Sequence, residues 1–307
     1  MRHLLVIIVL IVLLPTIVII FGYNKKEEKE YKFDFVSNSS VRVLRNDTKG
    51  IIQIPIEEYI LGVLCGEVPV LFHKEALKAQ AIAARSYVLY KMQISKDLKY
   101  DVIDTVKNQV YVDTTYLKSK WGNKYNEYIK KMSDAVKETQ GIYASYNNKV
   151  ADTLYFSTSS GYTENSEEIF VTRLPYLVSV ESKYDKDESP VFNEVKEFTK
   201  DVFYNKLGLD YSNTLKFEVT KKTSIGRNIN IIINGTKMKA SNLTSKLGLR
   251  SSYFTILESD SHIRITTTGY GHGVGMSQYG ANGMAKHGST YEEILKHYYT
   301  GITLKKL

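Results

Sequence analysis

The chain has 307 residues, 43% hydrophobic and 24% charged, which fits one large domain or two modest ones with a real core and excludes wholesale disorder. A formal net charge of +8 and a pI near 9.1 favour an anionic neighbour, such as a membrane surface or a cell-wall polymer. No dense Lys/Arg cluster is interleaved with aromatics, so nucleic acid is set aside as a partner, and Cys65, the only cysteine, excludes an intrachain disulfide or a multi-cysteine metal site.

Residues 1–22 open with Arg2 and His3 and continue through 18 nearly unbroken apolar residues from Leu4 to Phe21. At helical rise that length spans a bilayer core. A secretory signal would be shorter and end in a small-residue cleavage site, which is missing here, so the segment is predicted to be an uncleaved transmembrane anchor. Insertion as a signal anchor places the body outside the cytoplasm, although Arg2 against Lys25 and Lys26 does not fix the orientation. Residues 23–40, containing the mixed-charge run NKKEEKEYKFD, read as a solvated tether. Residues 41–307 form the body.

In the body, VRVLRN and IIQIP alternate as a hairpin turning at Asp47–Gly50. Ile56 to Cys65 has helical spacing and must stop before Pro69. Phe72 to Ile94 is the strongest helix, with alanines at 76, 79, 81, 83 and 84 that raise propensity and admit close neighbours. Leu117 to Thr139 reads as a second long helix. Strands are predicted in IYASYN, VADTLYFS, PYLVSV, LKFEVT, NINIIING, SYFTILES and HIRITTT, and helices return over Met276–His287 and Tyr291–Tyr299. No internal repeat is visible. The expected class is α+β: an N-terminal transmembrane helix, then a mixed domain that is helical over 56–140, β-rich over 141–268 and helical again over 269–307, with the Ala-rich helix beside the active site.

Three stretches carry candidate chemistry. In LGVLCGEVPVLF, Glu67 is a single carboxylate at a helix C-terminus among apolar side chains. The helix dipole and desolvation both disfavour its charge, which would leave a proton available for general acid catalysis. An exposed glutamate at a helix end remains the plainer alternative. In FSTSSGYTENSEEIF, hydroxyl groups and Asn165 gather around Gly161, suited to sugar hydroxyls or simply to capping their own loop. In TTTGYGHGVGMSQYGANGMAKHG, glycines on both sides of His272 allow a ligand or another backbone to come close, while the spacing matches neither a phosphate loop nor a zinc motif. Cys65 lacks a sequence-placed histidine to activate it and reads as core.

EEYILGVLCGEVPVLFHKEALKAQAIAARSYVLYK and YGHGVGMSQYGANGMAKHGSTYEEILKHYYTG resemble two blocks of the stage II sporulation protein D family of membrane-anchored lytic transglycosylases. The resemblance runs from about Val41 to the C-terminus. It implies Glu67 as the catalytic acid/base, cleaving the MurNAc–GlcNAc bond of peptide-free peptidoglycan strands to 1,6-anhydro-MurNAc ends during engulfment. It implies Gln80 and Arg85 as residues that line or brace the site, with substrate contacts from Ser157, Ser159, Tyr162, Tyr270, His272, Ser277 and Gln278. Some members hold zinc within F-H-S-T-C-G-G-H-T, but here YFSTSSGYT puts Phe156, Ser159 and Tyr162 at the ligand positions, so neither a metal nor any other cofactor is expected. The implied partners are glycan strands, the sporulation amidase protein P and the membrane protein M. The implied location is single-pass in the mother-cell membrane, with the body facing the intermembrane space. Two rivals remain: a non-catalytic wall-binding module that stimulates an amidase, and a hydrolase pairing Glu67 with Glu58 or Glu75.

Overall fold

The computed structural model describes residues 31–307. The expected anchor and residues 23–30 of the tether lie outside these residues, and among the described ones no helix is long and apolar enough to cross a membrane. The body forms a mixed α+β unit spanning 34–307.

Strands β1 (Ser40–Leu44) and β2 (Ile51–Pro55) form the predicted antiparallel hairpin. Helix α1 (Ile56–Glu67) follows directly and ends at the extended Val68, as the proline after it requires. Helix α2 (Lys74–Ile94) begins with the His73 side chain accepting the Glu75 N–H as a cap. Its five alanines are all buried, and α2 is the central post of the domain. Strand β3 (Val102–Ile103) pairs parallel to β1.

The expected second long helix is two: α3 (Thr114–Trp121) and α4 (Tyr125–Glu138). Gly122 breaks it with φ 51°, a left-handed value that a longer side chain rarely adopts. Strand β4 (Ile142–Tyr146) and the short β5 (Lys149–Val150) lie next to α2. Within VADTLYFS only Val150, the end of β5, and β6 (Tyr155–Phe156) are strand, because Ala151 to Leu154 instead hook onto neighbours: Thr153 Oγ1 donates to Ala83 O at 2.7 Å and Asp152 N–H to the Tyr176 hydroxyl at 2.9 Å. The predicted strand PYLVSV is irregular too; its backbone bonds are scattered over Thr163, Asn165, Ser166 and Thr300 and form no ladder. Single-turn helices α5 (Ser166–Ile169) and α6 (Asp185–Glu188) complete this stretch.

A second core follows. Strand β7 (Asn193–Thr199), helix α7 (Lys200–Leu207), strands β8 (Phe217–Lys222), β9 (Asn228–Ile233) and β10 (Thr236–Lys239), helix α8 (Ala240–Leu247), and strands β11 (Phe254–Glu258) and β12 (His262–Thr268) enclose Phe203, Leu207, Ile231, Ile233, Leu243, Ile263 and Ile265. Both eight-residue helices follow a strand and end in Lys-Leu-Gly-Leu, with Gly208 and Gly248 at φ 70° and 65° as left-handed caps. Strand β12 pairs with β7 in antiparallel register, Thr268 against Asn193.

The chain then returns to the first core. Strand β13 (Met276–Ser277) pairs parallel to β6, helices α9 (Gln278–Lys286) and α10 (Tyr291–Tyr298) pack on α2, and β14 (Thr303–Lys306) pairs with β4.

Candidate functional site

A cleft of about 760 Å³ opens where the end of α1, the exposed face of α2, the 152–157 segment and the glycine-rich loop meet, with Glu67, Tyr87, Asp152, Tyr155, His272 and Gln278 among its walls. Glu67 is the last residue of α1 and half-buried. Its Oε1 accepts a 2.6 Å hydrogen bond from the Val110 N–H. That approach depends on α1 having no side chains at two positions: a Cβ on Gly62 would lie 2.3 Å from the Tyr111 ring, and one on Gly66 would lie 2.4 Å from the Val110 carbonyl oxygen. Burial holds the Glu67 carboxyl above the usual carboxylate range, opposed by the Val110 N–H and by the neighbouring Gln278 amide. This is the environment of a carboxyl that keeps its proton nearer neutrality and can deliver it to a bound group.

Gln278 caps this corner. It is the first residue of α9, placed there by the β13–β6 pairing. Its Nε2 is sealed from solvent beside the Glu67 carboxyl, where the amide favours the carboxylate form against the effect of burial.

His272 also lines the cleft, but both ring nitrogens are engaged. Nδ1 accepts from Val274 N–H at 3.1 Å, so Nε2 carries the proton and donates to Tyr155 O at 3.1 Å. The ring lies 5.6 Å from those of Phe156 and Phe170. Burial first, and then the nearby Arg227 charge, push the imidazole down to about 4. His272 therefore shapes the wall as a neutral ring and is no proton shuttle at neutral pH. Ser157 and Tyr270 line the cleft as expected, the latter 45% exposed under the Arg250 guanidinium.

Other expected contacts sit elsewhere. Arg85 is fully buried behind the cleft, its Nε and Nη2 on the Glu57 carboxylate and Nη1 donating to Ile142 O at 3.0 Å. It braces α2 against α1 and β4 and does not line the site. Gln80 is buried on α2 with neither amide atom hydrogen-bonded, and it too is absent from the cleft wall. Ser159 and Ser277 both serve the buried Asp185: the Ser159 N–H and the Ser277 hydroxyl donate to Asp185 Oδ1, while the Ser182 hydroxyl, at 2.5 Å, donates to Oδ2. Desolvation pushes Asp185 up to about 6 in spite of these donors. Tyr162 is exposed beyond the cleft wall. These serines tie the polar loop to the start of α9 and leave little hydroxyl for a ligand.

Phe156, at the first of the zinc-ligand positions, packs on His272, and among the described residues no group of three His, Cys, Asp or Glu side chains is placed to hold a metal ion. Cys65 is buried and its thiol is held well above the ordinary range by desolvation, so it is no nucleophile. Of the two second acids considered, Glu58 is exposed and Glu75 is bound to Lys78 and to the Tyr291 N–H; neither lines the cleft.

The carboxylate that does share the cleft with Glu67 is Asp152. Reading VADTLYFS as a strand concealed it. The available signal was the one that exposed Glu67, an acid set among apolar residues. Lys91 and Lys107 both line the cleft, and the Nζ of Lys91 lies 4.9 Å from the centre of the Tyr87 ring and 5.6 Å from that of Tyr90.

Comparison with known proteins agrees with the early block. The family model described as "Stage II sporulation protein" matches residues 45–146. The stage II sporulation protein D of Bacillus subtilis (strain 168) is 42% identical over 273 residues, covering 87% of this chain and 79% of that protein. Its Bacillus amyloliquefaciens counterpart is 42% identical over 272 residues, with the same coverage. The amidase enhancer of Bacillus subtilis (strain 168) is 29% identical over 297 residues, covering 79% of this chain and 40% of that protein.

Proposed function

The chain belongs to the stage II sporulation protein D family, and from that membership we propose that it is a peptidoglycan lytic transglycosylase acting in engulfment during sporulation. The observation that carries this reading is a protonatable Glu67, desolvated and fixed by Val110 at the inner end of a cleft large enough for sugar rings. Glu67 protonates the oxygen between N-acetylmuramic acid and N-acetylglucosamine as the C1–O4 bond breaks. As a carboxylate it then takes the proton from the muramic 6-hydroxyl, whose oxygen closes on C1. One acid thus serves both halves, the proton lost from O6 replaces the one given to O4, and no water is consumed. The product is a 1,6-anhydro end.

The expected substrate is a glycan strand already stripped of stem peptides. The proposed setting is the mother-cell membrane, anchored by residues 1–22 and working with the sporulation amidase protein P and the membrane protein M. Incubating the purified full-length chain with peptide-free strands and reading the products by mass spectrometry tests this. Fragments one water lighter than hydrolysis products, absent with Glu67→Gln, are the expected result. Hydrated fragments would instead mean a hydrolase using the second carboxylate of the cleft. The similarity to an amidase enhancer favours one further reading, a wall-binding module that stimulates an amidase. That reading gains if a folded chain binds strands, leaves them uncut and stimulates the amidase equally with Glu67→Gln.

A further inference from the structure

Five acids of the described body are buried: Glu57, Asp101, Asp152, Glu164 and Asp185. Four are answered. Glu57 holds Arg85 and the Gly141 N–H, Asp101 holds Arg42 and Ser95, Glu164 holds Arg227 through Oε1 while its Oε2 has no donor, and Asp185 gathers donors from Ser159, Ser182 and Ser277. Asp152 is the exception. It is 9% exposed, its Oδ1 is sealed from solvent, and among the described residues no donor reaches its carboxylate. The one charge that steadies it is the Lys91 ammonium across the cleft wall.

Nothing about the backbone forces the side chain into that position by accident. Asp152 N–H is pinned to the Tyr176 hydroxyl, and the residues on either side are pinned too, Ala151 N–H to Ala144 O at 3.0 Å and Thr153 Oγ1 to Ala83 O at 2.7 Å. A rigid segment therefore carries an unanswered acceptor into the same cleft that holds Glu67. The Tyr87 hydroxyl on α2 lies within the field of both carboxylates. Buried polar groups in folded proteins are almost always hydrogen-bonded, and an acceptor left open at a cleft wall is available to a donor that enters the cleft.

We propose that Asp152 is a substrate-contacting residue, which accepts hydrogen bonds from a hydroxyl or acetamido N–H of an N-acetylhexosamine unit flanking the bond that Glu67 attacks. This rests on the reading of the cleft as a glycan site. A sugar ring is rich in donors, and the lone pairs of one carboxylate can take two of them. Lys91, steadied by the Tyr87 and Tyr90 rings, offers the opposite polarity beside it, for a ring or carbonyl oxygen of the same unit. Gln278, whose amide faces Glu67, marks the other end of the same cleft.

The test separates binding from chemistry. Full-length chain carrying Glu67→Gln is titrated with peptide-free glycan strands by calorimetry, alone and combined with Asp152→Asn or Asp152→Ala. Charged hydrogen bonds to a ligand lost in this way are expected to weaken binding by roughly 10- to 100-fold. The melting temperature should stay level or rise, because replacing an unanswered buried charge relieves the fold; a merely structural Asp152 would make it fall. Unchanged affinity in both variants overturns this proposal while leaving the glycan reading intact, as does weaker binding accompanied by a falling melting temperature. If the parent binds no strands, the glycan reading fails and this proposal fails with it.

Discussion

Glu67 and Val110 meet through one hydrogen bond of 2.6 Å, from a backbone N–H to a carboxylate oxygen at the last residue of a helix. The acid is aimed by a loop 43 residues further along the chain. This makes its geometry separable from its chemistry. Glu67→Gln keeps an oxygen for Val110 and loses the proton, so cleavage should fall by at least about 100-fold with the melting temperature preserved. Product release from peptide-free strands, followed beside a thermal melt, checks this. Near-normal turnover in Glu67→Gln would refute the assignment.

Gly66→Ala attacks the same contact from the other side. The added Cβ would meet the Val110 carbonyl at 2.4 Å, a backbone atom that cannot rotate away. The loop must move, and the hydrogen bond to Glu67 moves with it. Overpacking of this kind costs about 1–3 kcal/mol. Turnover should drop much further than that stability loss accounts for, which activity measured well below the melting temperature will reveal.

The acid's raised position sets a sign for pH. Activity that needs the protonated form falls as pH climbs through the folded-state value, which lies above that of a free glutamate. Stability follows the same direction. A carboxyl that binds its proton more tightly when folded contributes stability that is full below the unfolded value and is lost as pH rises through the folded one. The melting temperature of Glu67→Gln relative to the native chain should therefore improve from acid towards neutral pH. A constant difference across that range would contradict the burial of this carboxyl.

His272 runs the opposite way. Its imidazole is pushed down to about 4 from an ordinary 6.5, so the folded protein resists protonating it. Stability tied to the neutral ring is intact above the unfolded value and erodes as pH falls from 6.5 towards 4, by at most about 3 kcal/mol. A His272→Gln variant lacks this titration, and the pH dependence of its denaturant midpoint should be correspondingly flatter in that window. The acid limb of turnover between pH 5 and 8 should not track this ring.

Arg85 and Glu57 form a buried pair with both side chains essentially inaccessible. Removing one partner strands the other charge, and Arg85→Met or Glu57→Gln should cost roughly 3–5 kcal/mol. Substrate affinity of the surviving folded fraction should be nearly native, since neither residue lines the cleft. A large change in affinity with unchanged stability would return Arg85 to the substrate.

Local signals in the sequence were read correctly where local physics decides. The hairpin of 40–55, the stop of α1 at Pro69 and the Ala-rich α2 follow from alternation, proline geometry and propensity. Glu67 was legible because an acid in apolar company at a helix end is conspicuous. Residues that work through long-range partners were not. The resemblance leaves open whether Arg85 lines or braces the site, and its partner Glu57, 28 positions away on another helix, makes it a brace; Ser159 and Ser277 read as sugar contacts because Asp185, which holds them both, lies outside either motif. Asp152 was hidden by a strand pattern that tertiary hooks override, and the break at Gly122 by the continuity of helical spacing around it.

Asn193 and Thr268 stand opposite each other as the first and last residues of the strands around the second core, and the Thr268 hydroxyl donates to the Asn193 side chain at 3.0 Å. The 76 residues between and including them thus leave and rejoin the chain at a single point, with their own core enclosed. Such a region is no bystander to the cleft: Arg227 reaches out of it to Glu164 and to the Gly271 carbonyl, Ser224 to Glu168, and Arg250 lies over Tyr270, so a change within it is felt at the glycine-rich loop, while none of these contacts touches Glu67.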